Sequence, residues 1–150
     1  MRIESVKTNK KQYLDLLLLA DEEEAMIDLY LSQGDMFLIY DDELIGECVI
    51  VEGEEGVFEL KNIAIYTQFH GCGYGKKLIE YLFEHYQGRG KLMYVGTGDS
   101  PLSIPFYKKC GFEISHRVAN FFVDNYEKPI YEDGKQLIDM VYLKRKFDDN

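Results

Sequence analysis

The chain of 150 residues contains no long hydrophobic run, and this absence excludes several classes of protein. The leucine run at 16–19 is only four residues long and lies in a charged segment, whereas a helix that crosses a bilayer needs about 20 apolar residues. The first residues, MRIESVKTNKKQY, also lack the apolar core of a secretory signal. We therefore expect a cytoplasmic protein without a membrane partner.

Cysteines and basic residues are both scarce. The three cysteines, Cys48, Cys72 and Cys110, are an odd number and lack the paired spacing of a disulfide framework or a zinc site, so we expect a reducing compartment and no metal. Acidic residues outnumber basic ones 27 to 17, and the net charge of −10 argues against nucleic acid as a partner. Residues 70–110 are the exception, with a net charge of +3 against −13 for the remainder. That region suits an anion, while the rest attracts cations.

The length and the apolar fraction of 46% predict one folded domain spanning residues 1–150. The patterns predict strands at Arg2–Lys7, three times between 35 and 66, at 91–98, at Phe112–Val123 and at Gln136–Lys146. They predict helices at Lys10–Ala20, at Glu22–Gln33, from the glycine-rich stretch to about Gln87, and from Ser100 or Ser103 to before Gly111. The expected fold is α/β (α+β), with a mixed, mostly antiparallel sheet of about seven strands flanked by about four helices.

The stretch HGCGYGKKLI, residues 70–79, lies between an apolar strand and an amphipathic helix. The free N–H groups at the start of such a helix and its dipole form a phosphate site. Two common phosphate loops do not fit. The Walker A pattern fails because His70 and Lys77 occupy positions that need glycine and serine or threonine, and the dinucleotide fingerprint fails because Lys76 or Leu78 stands where its last glycine should be.

The remaining pattern, alternating glycines followed by KKLI, resembles the signature of the GNAT superfamily of acyl-CoA-dependent N-acyltransferases. In that family, Q/R-x-x-G-x-G/A joins a strand to a helix, and its backbone N–H groups hold the pyrophosphate of coenzyme A. One register runs from Gln68 to Gly73. The register starting at His70, with Gly73 and Gly75 as the paired glycines, fits the downstream residues better, although histidine replaces the usual glutamine or arginine.

A second motif strengthens the resemblance, because IPFYKKCGF, residues 104–112, is similar to the family's F-Y-x-x-x-G-F and follows the loop by one helix and one strand. The element order resembles the family along essentially the whole chain. The resemblance implies that the two strands around the loop splay apart and that the pantetheine arm lies in the gap. It assigns to the cofactor Ile63, Ala64 and Ile65 on the strand, His70, Gly71, Cys72, Gly73, Tyr74, Gly75 and Lys76 in the loop and helix start, and Ser100, Phe106 and Lys109 on the opposite wall.

The resemblance also implies a catalytic tyrosine at Tyr107, which would protonate the departing thiolate. Glu59 is the preferred general base, since strand alternation in VFELKNIAI places Glu59, Lys61 and Ile63 on one face and Phe58, Leu60 and Asn62 on the other. His116 and Asp124 are rivals for this role, as is a chain of water molecules. Cys72 and Cys110 lack a recognisable His/Asn partner set, so we interpret both as structural.

These features together predict an N-acetyltransferase that moves acetyl from acetyl-CoA to a primary amine by direct attack in a ternary complex. The acidic remainder of the chain favours a cationic acceptor, such as a polyamine, an aminoglycoside, an amino acid or a protein N-terminus. Acceptor specificity in this family lies in the first helices, here about 9–34, and in a late loop that contains Tyr126 and Tyr131. The alternative is a non-catalytic acyl-CoA-binding regulatory module. The resemblance also allows a homodimer.

Overall fold

The computed structural model describes residues 1–148 and places seven strands in one sheet flanked by helices. The strands are β1 (Arg2–Val6), β2 (Asp35–Asp41), β3 (Glu43–Glu52), β4 (Val57–Ile65), β5 (Leu92–Gly98), β6 (Glu113–Val118), β7 (Tyr131–Glu132), β8 (Lys135–Gln136) and β9 (Met140–Lys146). The α-helices are α1 (Leu14–Ala20), α2 (Glu24–Asp28), α3 (Tyr74–His85), α4 (Ser103–Lys109) and α5 (Phe121–Asn125). Short 3-10 turns cover Lys10–Tyr13 and Thr67–Phe69.

The main sheet has the strand order β1-β2-β3-β4-β5-β9-β6, and β7 and β8 form a separate hairpin. Within residues 1–148, β4 and β5 are the only parallel pair, and α3 lies in the connection between them. The other neighbours in the main sheet are antiparallel. The predicted mixed, mostly antiparallel sheet of seven strands is therefore confirmed.

The last part of the strand predicted at Phe112–Val123 is wrong, because it forms the start of helix α5. The described residues therefore contain five α-helices, where about four were expected. Strand β6 ends at Val118, and Asn120 then adopts a left-handed conformation with φ of 59°. Asparagine tolerates this conformation better than most residues. The backbone N–H of Asn120 donates to the Asp139 carboxylate (2.9 Å), and the aromatic residues that follow enter α5.

Two other predicted elements are shorter in the structure. The helix predicted at Glu22–Gln33 contains only α2, because the chain beyond it forms turns whose carbonyl oxygens at Leu31 and Gly34 accept hydrogen bonds from the Lys10 ammonium. The strand predicted at Gln136–Lys146 is divided between the end of β8 and the whole of β9.

Apolar side chains fill both sides of the sheet. The larger cluster packs against α3 and α4, and the smaller one packs against the α1–α2 segment. The residues predicted to form the apolar face of α3 and its end are all buried, namely Leu78, Ile79, Leu82, Phe83 and Tyr86. None of the helices in the described chain is long and apolar enough to cross a membrane.

A β-bulge interrupts β4 at Lys61. Leu60 pairs with Ile50 and Asn62 pairs with Val49, so Lys61 has no counterpart on β3. Where one strand contributes an extra residue, the alternation of its side chains reverses beyond that point. Odd-numbered residues of β4 therefore face one side of the sheet before the bulge and the other side after it, and even-numbered residues do the reverse.

Because of the bulge, the faces that simple alternation predicted for this strand are wrong beyond Lys61. Leu60 packs in the cluster beside α3, but Asn62 turns to the opposite side, where its Nδ2 donates to the carbonyl oxygen of Leu17 (3.1 Å). Ile63 packs against the α3 cluster and does not share a face with Glu59. The bulge thus brings a polar side chain beneath α1.

Helix α4 begins at Ser103, one of the two predicted starts, and the Ser100 side chain holds the turn that leads into it. The Ser100 hydroxyl oxygen accepts hydrogen bonds from the backbone N–H groups of Leu102 (3.1 Å) and Ser103 (3.3 Å). Pro105 consequently lies in the first turn, where its missing N–H group has no helical partner to lose. The helix ends before Gly111, as predicted.

Candidate functional site

Strands β4 and β5 separate towards their carboxyl ends. Their parallel pairing runs from Val57 with Leu92 to Leu60 with Val95, although β4 continues to residue 65 and β5 to residue 98. On their outer edges β4 remains paired with β3, and β5 with β9. The backbone of 61–65 and 96–98 therefore borders an opening in the sheet, where its polar groups are available to a bound chain.

A cavity of about 690 Å³ occupies this opening, a volume in the usual range for small-molecule sites. Its walls are residues 60–65 of β4, residues 95–98 of β5, residues 18–22 at the end of α1, and parts of α4, α5 and the segment 126–140. Tyr107 belongs to the cluster on the α3 side, whereas Asn62 faces α1. The cavity therefore has walls on both sides of the sheet.

The glycine-rich stretch forms the turn into α3. Gly71 and Gly73 have φ angles of 79° and 85°, which glycine adopts without a steric penalty. The first hydrogen bond of the helix runs from Lys77 N–H to the carbonyl oxygen of Gly73 (3.1 Å). The backbone N–H groups of residues 74–76 thus have no partner within the helix, and the helix dipole adds partial positive charge there. This end of α3 suits an anion.

Close contacts hold this loop against its neighbours. A Cβ atom at Gly75 would lie 3.0 Å from Cζ of Phe106, so glycine allows α3 and α4 to approach. Nε2 of His70 donates to the carbonyl oxygen of Ile65 (2.8 Å) and ties the loop to the end of β4. The Tyr74 hydroxyl donates to the carboxylate of the last residue of β2 (2.7 Å). The histidine that replaces the usual family residue therefore has a structural contact of its own.

Tyr107 lines the cavity from α4 and is only 8% exposed. Burial raises the pKa of its hydroxyl, and the electrostatic influence of Cys110 and Glu132 raises it further. The hydroxyl is therefore protonated at neutral pH, and Tyr107 can donate a proton or a hydrogen bond to a group inside the cavity.

Glu132 connects the late segment to the start of α4. Its Oε1 accepts hydrogen bonds from the hydroxyls of Ser100 (2.7 Å) and Ser103 (3.0 Å). Both Ser103 and Glu132 line the cavity. The hairpin that carries Glu132 is thereby held over the wall that contains Tyr107.

Polar groups line the cavity wall on the α1 side. The carboxylate of Asp21, just after α1, accepts hydrogen bonds from the hydroxyls of Tyr126 (2.8 Å) and Tyr30 (3.3 Å). The Tyr30 hydroxyl also accepts one from Nδ2 of Asn62 (3.0 Å). These contacts connect three distant parts of the chain around one corner of the cavity.

Glu47 lies fully buried behind this wall, on β3 opposite Ala64. Neither of its carboxylate oxygens forms a hydrogen bond with a described residue at normal geometry. Burial raises the pKa of Glu47 well above its usual value, and the nearby backbone of Ala64 offsets only part of this effect. Ala64 lines the cavity, but Glu47 itself does not.

The residues predicted to bind the cofactor fall into three adjoining groups. Ile63, Ala64, Ile65 and His70 line the cavity; Gly71, Cys72, Gly73, Tyr74, Gly75 and Lys76 form the turn and helix start beside it; Ser100, Phe106 and Lys109 belong to α4 or to the turn that leads into it. Cys72, Lys76 and Lys109 are exposed.

The candidate general bases lie outside the cavity lining. Oε2 of Glu59 is 3.0 Å from Nζ of Lys61, in an ion pair. His116 stacks on the ring of Tyr142 with 4.9 Å between ring centroids, and Asp124 is exposed on α5. For each of these residues the role of general base stays a prediction.

The model of the acetyltransferase (GNAT) domain family matches residues 32–114, which is just over half of the chain. The chain belongs to the GNAT acetyltransferase family. The matched GNAT segment runs from the residues before β2 to the first residues of β6, and so includes the opening between β4 and β5, the glycine loop and α4. The predicted class of enzyme, an acyltransferase of the GNAT type, is therefore confirmed.

Individual GNAT proteins resemble the chain over nearly its whole length. The uncharacterized N-acetyltransferase YvbK of Bacillus subtilis (strain 168) is 34% identical over 146 residues, which cover 95% of this chain and 94% of that protein. A GNAT family acetyltransferase from Elizabethkingia anophelis, solved with acetyl-CoA bound, has a TM-score of 0.90 at 34% identity, with 97% of both chains covered. A Bacillus subtilis acetyltransferase solved in complex with CoA has a TM-score of 0.87 at 32% identity, again with 97% of both chains covered. The predicted GNAT-like fold is thus confirmed.

Sequence reasoning missed four cavity residues or their partners: Asp21, Tyr30, Asn62 and Glu132. One signal was available, since Asn62 is an amide within the apolar run of β4, and a buried amide must find hydrogen-bond partners. The others lie in short segments whose sequence gives no indication that they meet in space. Tyr126 and Tyr131, which belong to the late loop predicted to determine acceptor specificity, line the cavity.

Proposed function

We propose that this GNAT enzyme moves an acetyl group from acetyl-CoA to a primary amine of a cationic or small acceptor, by direct attack of the amine in a ternary complex. The observation that carries this proposal is the opening between β4 and β5, which adjoins the amino-terminal end of α3 and continues as a cavity to Tyr107 and to the α1 side. Two chemically different ends of one site suit an anionic cofactor and a separate acceptor.

Acetyl-CoA enters this arrangement with its pyrophosphate at the turn formed by residues 71–76. The free backbone N–H groups of residues 74–76 and the dipole of α3 stabilise the negative charge, and Lys76 adds a positive one. The pantetheine arm then lies in the opening, beside the backbone of Ile63, Ala64 and Ile65. The two relatives solved with acetyl-CoA and with CoA support this choice of cofactor.

Ser100, Phe106 and Lys109 form the opposite side of the cofactor site in this proposal. Phe106 packs against Gly75, and Ser100 holds the turn that leads into α4, so both residues set the separation of α4 from the glycine turn. Lys109 is exposed near the carboxyl end of α4 and provides a cation for a phosphate.

The reaction moves protons away from the amine nitrogen and onto the thioester sulfur. A lysine-like amine has a pKa of about 10.4, so its ammonium form must lose a proton before nitrogen attacks the thioester carbonyl. A backbone N–H group at the open edge of β4 stabilises the tetrahedral oxyanion. When the C–S bond breaks, the sulfur takes the electron pair and Tyr107 donates to it a hydrogen bond or a proton. The nitrogen loses its second proton to water as the amide forms, and any proton that Tyr107 has given up is restored from solvent. Burial raises the pKa of Tyr107, so its hydroxyl keeps the proton and is available as a donor when negative charge develops on the sulfur.

Calorimetric titration with acetyl-CoA, ATP and NAD tests the cofactor part of the proposal. We expect micromolar binding of acetyl-CoA and no binding of the other two. Gly73→Ala, which places a side chain at φ of 85°, should weaken binding, whereas Gly88→Ala is the matched control because its added Cβ would contact nothing within 4 Å. The proposal would be contradicted if titration with acetyl-CoA gave no heat of binding and acetyl-CoA also left the unfolding midpoint unchanged in a thermal-shift measurement.

An amine screen that measures release of the coenzyme A thiol tests the reaction itself. Thiol release that depends on one class of amine, with an N-acetylated product in the mass spectrum, is the expected result. Tight binding of acetyl-CoA without transfer to any amine would instead identify a non-catalytic acyl-CoA-binding module.

A further inference from the structure

The carboxylate of Asp21 is a half-buried group at the corner of the cavity formed by the end of α1. Its Oδ1 accepts a hydrogen bond from the Tyr126 hydroxyl (2.8 Å), and its Oδ2 accepts one from the Tyr30 hydroxyl (3.3 Å). A carboxylate has about four lone-pair sites, and with the Glu23 backbone as a third donor one site remains for a further hydrogen bond. Both tyrosines are neutral donors and orient the carboxylate without neutralising it.

No lysine, arginine or histidine in the described part of the chain forms an ion pair with Asp21. By contrast, Asp28 pairs with Lys11, and Asp99 pairs with Arg117. Burial raises the pKa of Asp21, while hydrogen bonds from Tyr126, the Glu23 backbone and Tyr30 lower it. A cation bound at this corner would supply the countercharge that a partly desolvated carboxylate otherwise lacks.

Asn62 presents a second unused oxygen on the same wall. It is 3% exposed, and its Nδ2 donates to both the carbonyl oxygen of Leu17 (3.1 Å) and the hydroxyl of Tyr30 (3.0 Å). Its Oδ1 has no partner among residues 1–148, although Asn62 lines the cavity. A buried acceptor without a partner is costly and rare in folded proteins, and this atom adds negative polarity to the α1 side of the cavity.

The hydrogen bonds fix the orientation of these groups. The Tyr30 oxygen accepts a hydrogen bond from Asn62, and the Tyr30 hydroxyl donates its single proton to Asp21. The Asp21 carboxylate therefore offers an acceptor to the cavity from this wall. The other acidic and basic side chains of the lining are Glu22, Lys61, His70 and Glu132, and Lys61 is paired with Glu59 outside the lining.

We infer that the Asp21 carboxylate, on the side of the cavity where Oδ1 of Asn62 also lacks a partner, binds an ammonium group of the acceptor and so selects alkyl amines as substrates. This inference rests on the proposed function. An alkyl ammonium group carries three N–H donors and a positive charge, which match a carboxylate that has no ion-pair partner among residues 1–148. A carboxylate or phosphate on the acceptor would be repelled by Asp21, and a neutral alcohol would leave the carboxylate without a countercharge.

Kinetics with two amines of equal chain length test this inference. Pentylamine has one ammonium group and cadaverine has two, so the pair distinguishes binding of the reacting nitrogen from binding of a second nitrogen. Wild type, Asp21→Asn and Asp28→Asn are compared by thiol release at saturating acetyl-CoA. Asp28→Asn is the matched control, because it removes the same charge from α2, outside the cavity lining.

We expect Asp21→Asn to lower kcat/KM for cadaverine at least about tenfold, mainly through a higher amine KM, with the acetyl-CoA KM changed less than about twofold. A similar loss for pentylamine means that the held ammonium is the reacting one, and a loss for cadaverine alone means that it is the second. Tyr126→Phe keeps the carboxylate and removes one hydrogen bond, so its effect should be smaller. Asp28→Asn should behave as wild type with both amines.

A second readout uses only the wild-type protein. When the protein is saturated with coenzyme A, cadaverine should raise the unfolding midpoint, and uncharged pentanediol should not. Activity of Asp21→Asn within about twofold of wild type for both amines would overturn the inference. So would parallel losses of acetyl-CoA affinity and unfolding midpoint in that variant, which would indicate a structural role.

The failure of this inference and the failure of the proposed function give different results. If acetyl-CoA binds but cadaverine, pentylamine and spermidine are neither acetylated nor stabilising, the ammonium site is refuted and the cofactor assignment stands. If acetyl-CoA does not bind, the proposed function itself is refuted.

Discussion

The buried carboxyl group of Glu47 should make the stability of this protein fall as the pH rises. Glu47 is 0% exposed, lacks hydrogen-bond partners for both oxygens among the described residues, and has a pKa raised well above 4.5 by burial. In the unfolded chain this carboxyl group is solvated and releases its proton near its ordinary pKa. The folded protein therefore holds the Glu47 proton more tightly than the unfolded chain does.

The direction and size of the effect follow from proton linkage. Below the ordinary pKa of 4.5 both states keep the proton, and the contribution of Glu47 to stability is fully present. Above that pH the unfolded chain binds fewer protons than the folded one, so the free energy of unfolding falls by up to about 1.4 kcal/mol per pH unit. The fall continues until the pH reaches the raised pKa of the folded state.

Urea unfolding of wild type and Glu47→Gln, at a series of pH values from 5 upwards, measures this contribution. Glutamine has nearly the same shape and no titrating group, so the stability of the variant relative to wild type should increase by up to about 1.4 kcal/mol per pH unit. A constant offset between the two proteins is expected as well, because a buried amide also needs partners. Glu55→Gln, at an exposed position, is the control and should run parallel to wild type. Equal pH slopes for wild type and Glu47→Gln would refute the reasoning.

Three further substitutions test the site and its supports. Tyr107→Phe should lower kcat by about 10²-fold or more while the acetyl-CoA KM changes little, as measured by thiol release; an unchanged kcat would remove Tyr107 from the chemistry. Gly73→Ala should destabilise the fold by about 1–2 kcal/mol in urea unfolding, since its φ is 85°, and Gly88→Ala should be neutral beside it. Ser100→Ala removes the acceptor for two backbone N–H groups at the start of α4 and should cost about 1 kcal/mol, seen as a lower Tm; an unchanged Tm would show that water replaces the lost contacts.

The parts of the fold that could be predicted are those coded by local patterns. Alternating apolar residues indicated the strands, and the spacing of apolar residues in α3 indicated its buried face. Gly71 and Gly73 indicated a turn because few other residues adopt positive φ at such positions. The end of α4 before Gly111 was predictable for the same reason, since that glycine has a φ of 91°.

The parts that could not be predicted depend on contacts between distant residues. Asp21 and Tyr126 are 105 positions apart, and neither flanking sequence indicates that they meet. The run FFV after Asn120 fits a strand as well as a helix. In the structure it forms a helix, and the residue just before that helix, Asn120, donates a hydrogen bond to the distant Asp139. Glu59 shows the reverse case, because a suitable residue type on the expected strand lies outside the cavity lining, and its role as a general base stays a prediction.

The bulge at Lys61 makes the site sensitive to the length of β4 as well as to its composition. Deleting this single residue would leave every other cavity residue present in the chain. The strand would then alternate without interruption, and positions 62–65 would exchange their faces with respect to β3. Asn62 would point into the apolar cluster beside α3, and Ile63 would point towards Asp21. A one-codon deletion at Lys61 should therefore abolish acceptor binding as fully as the loss of the polar side chains themselves.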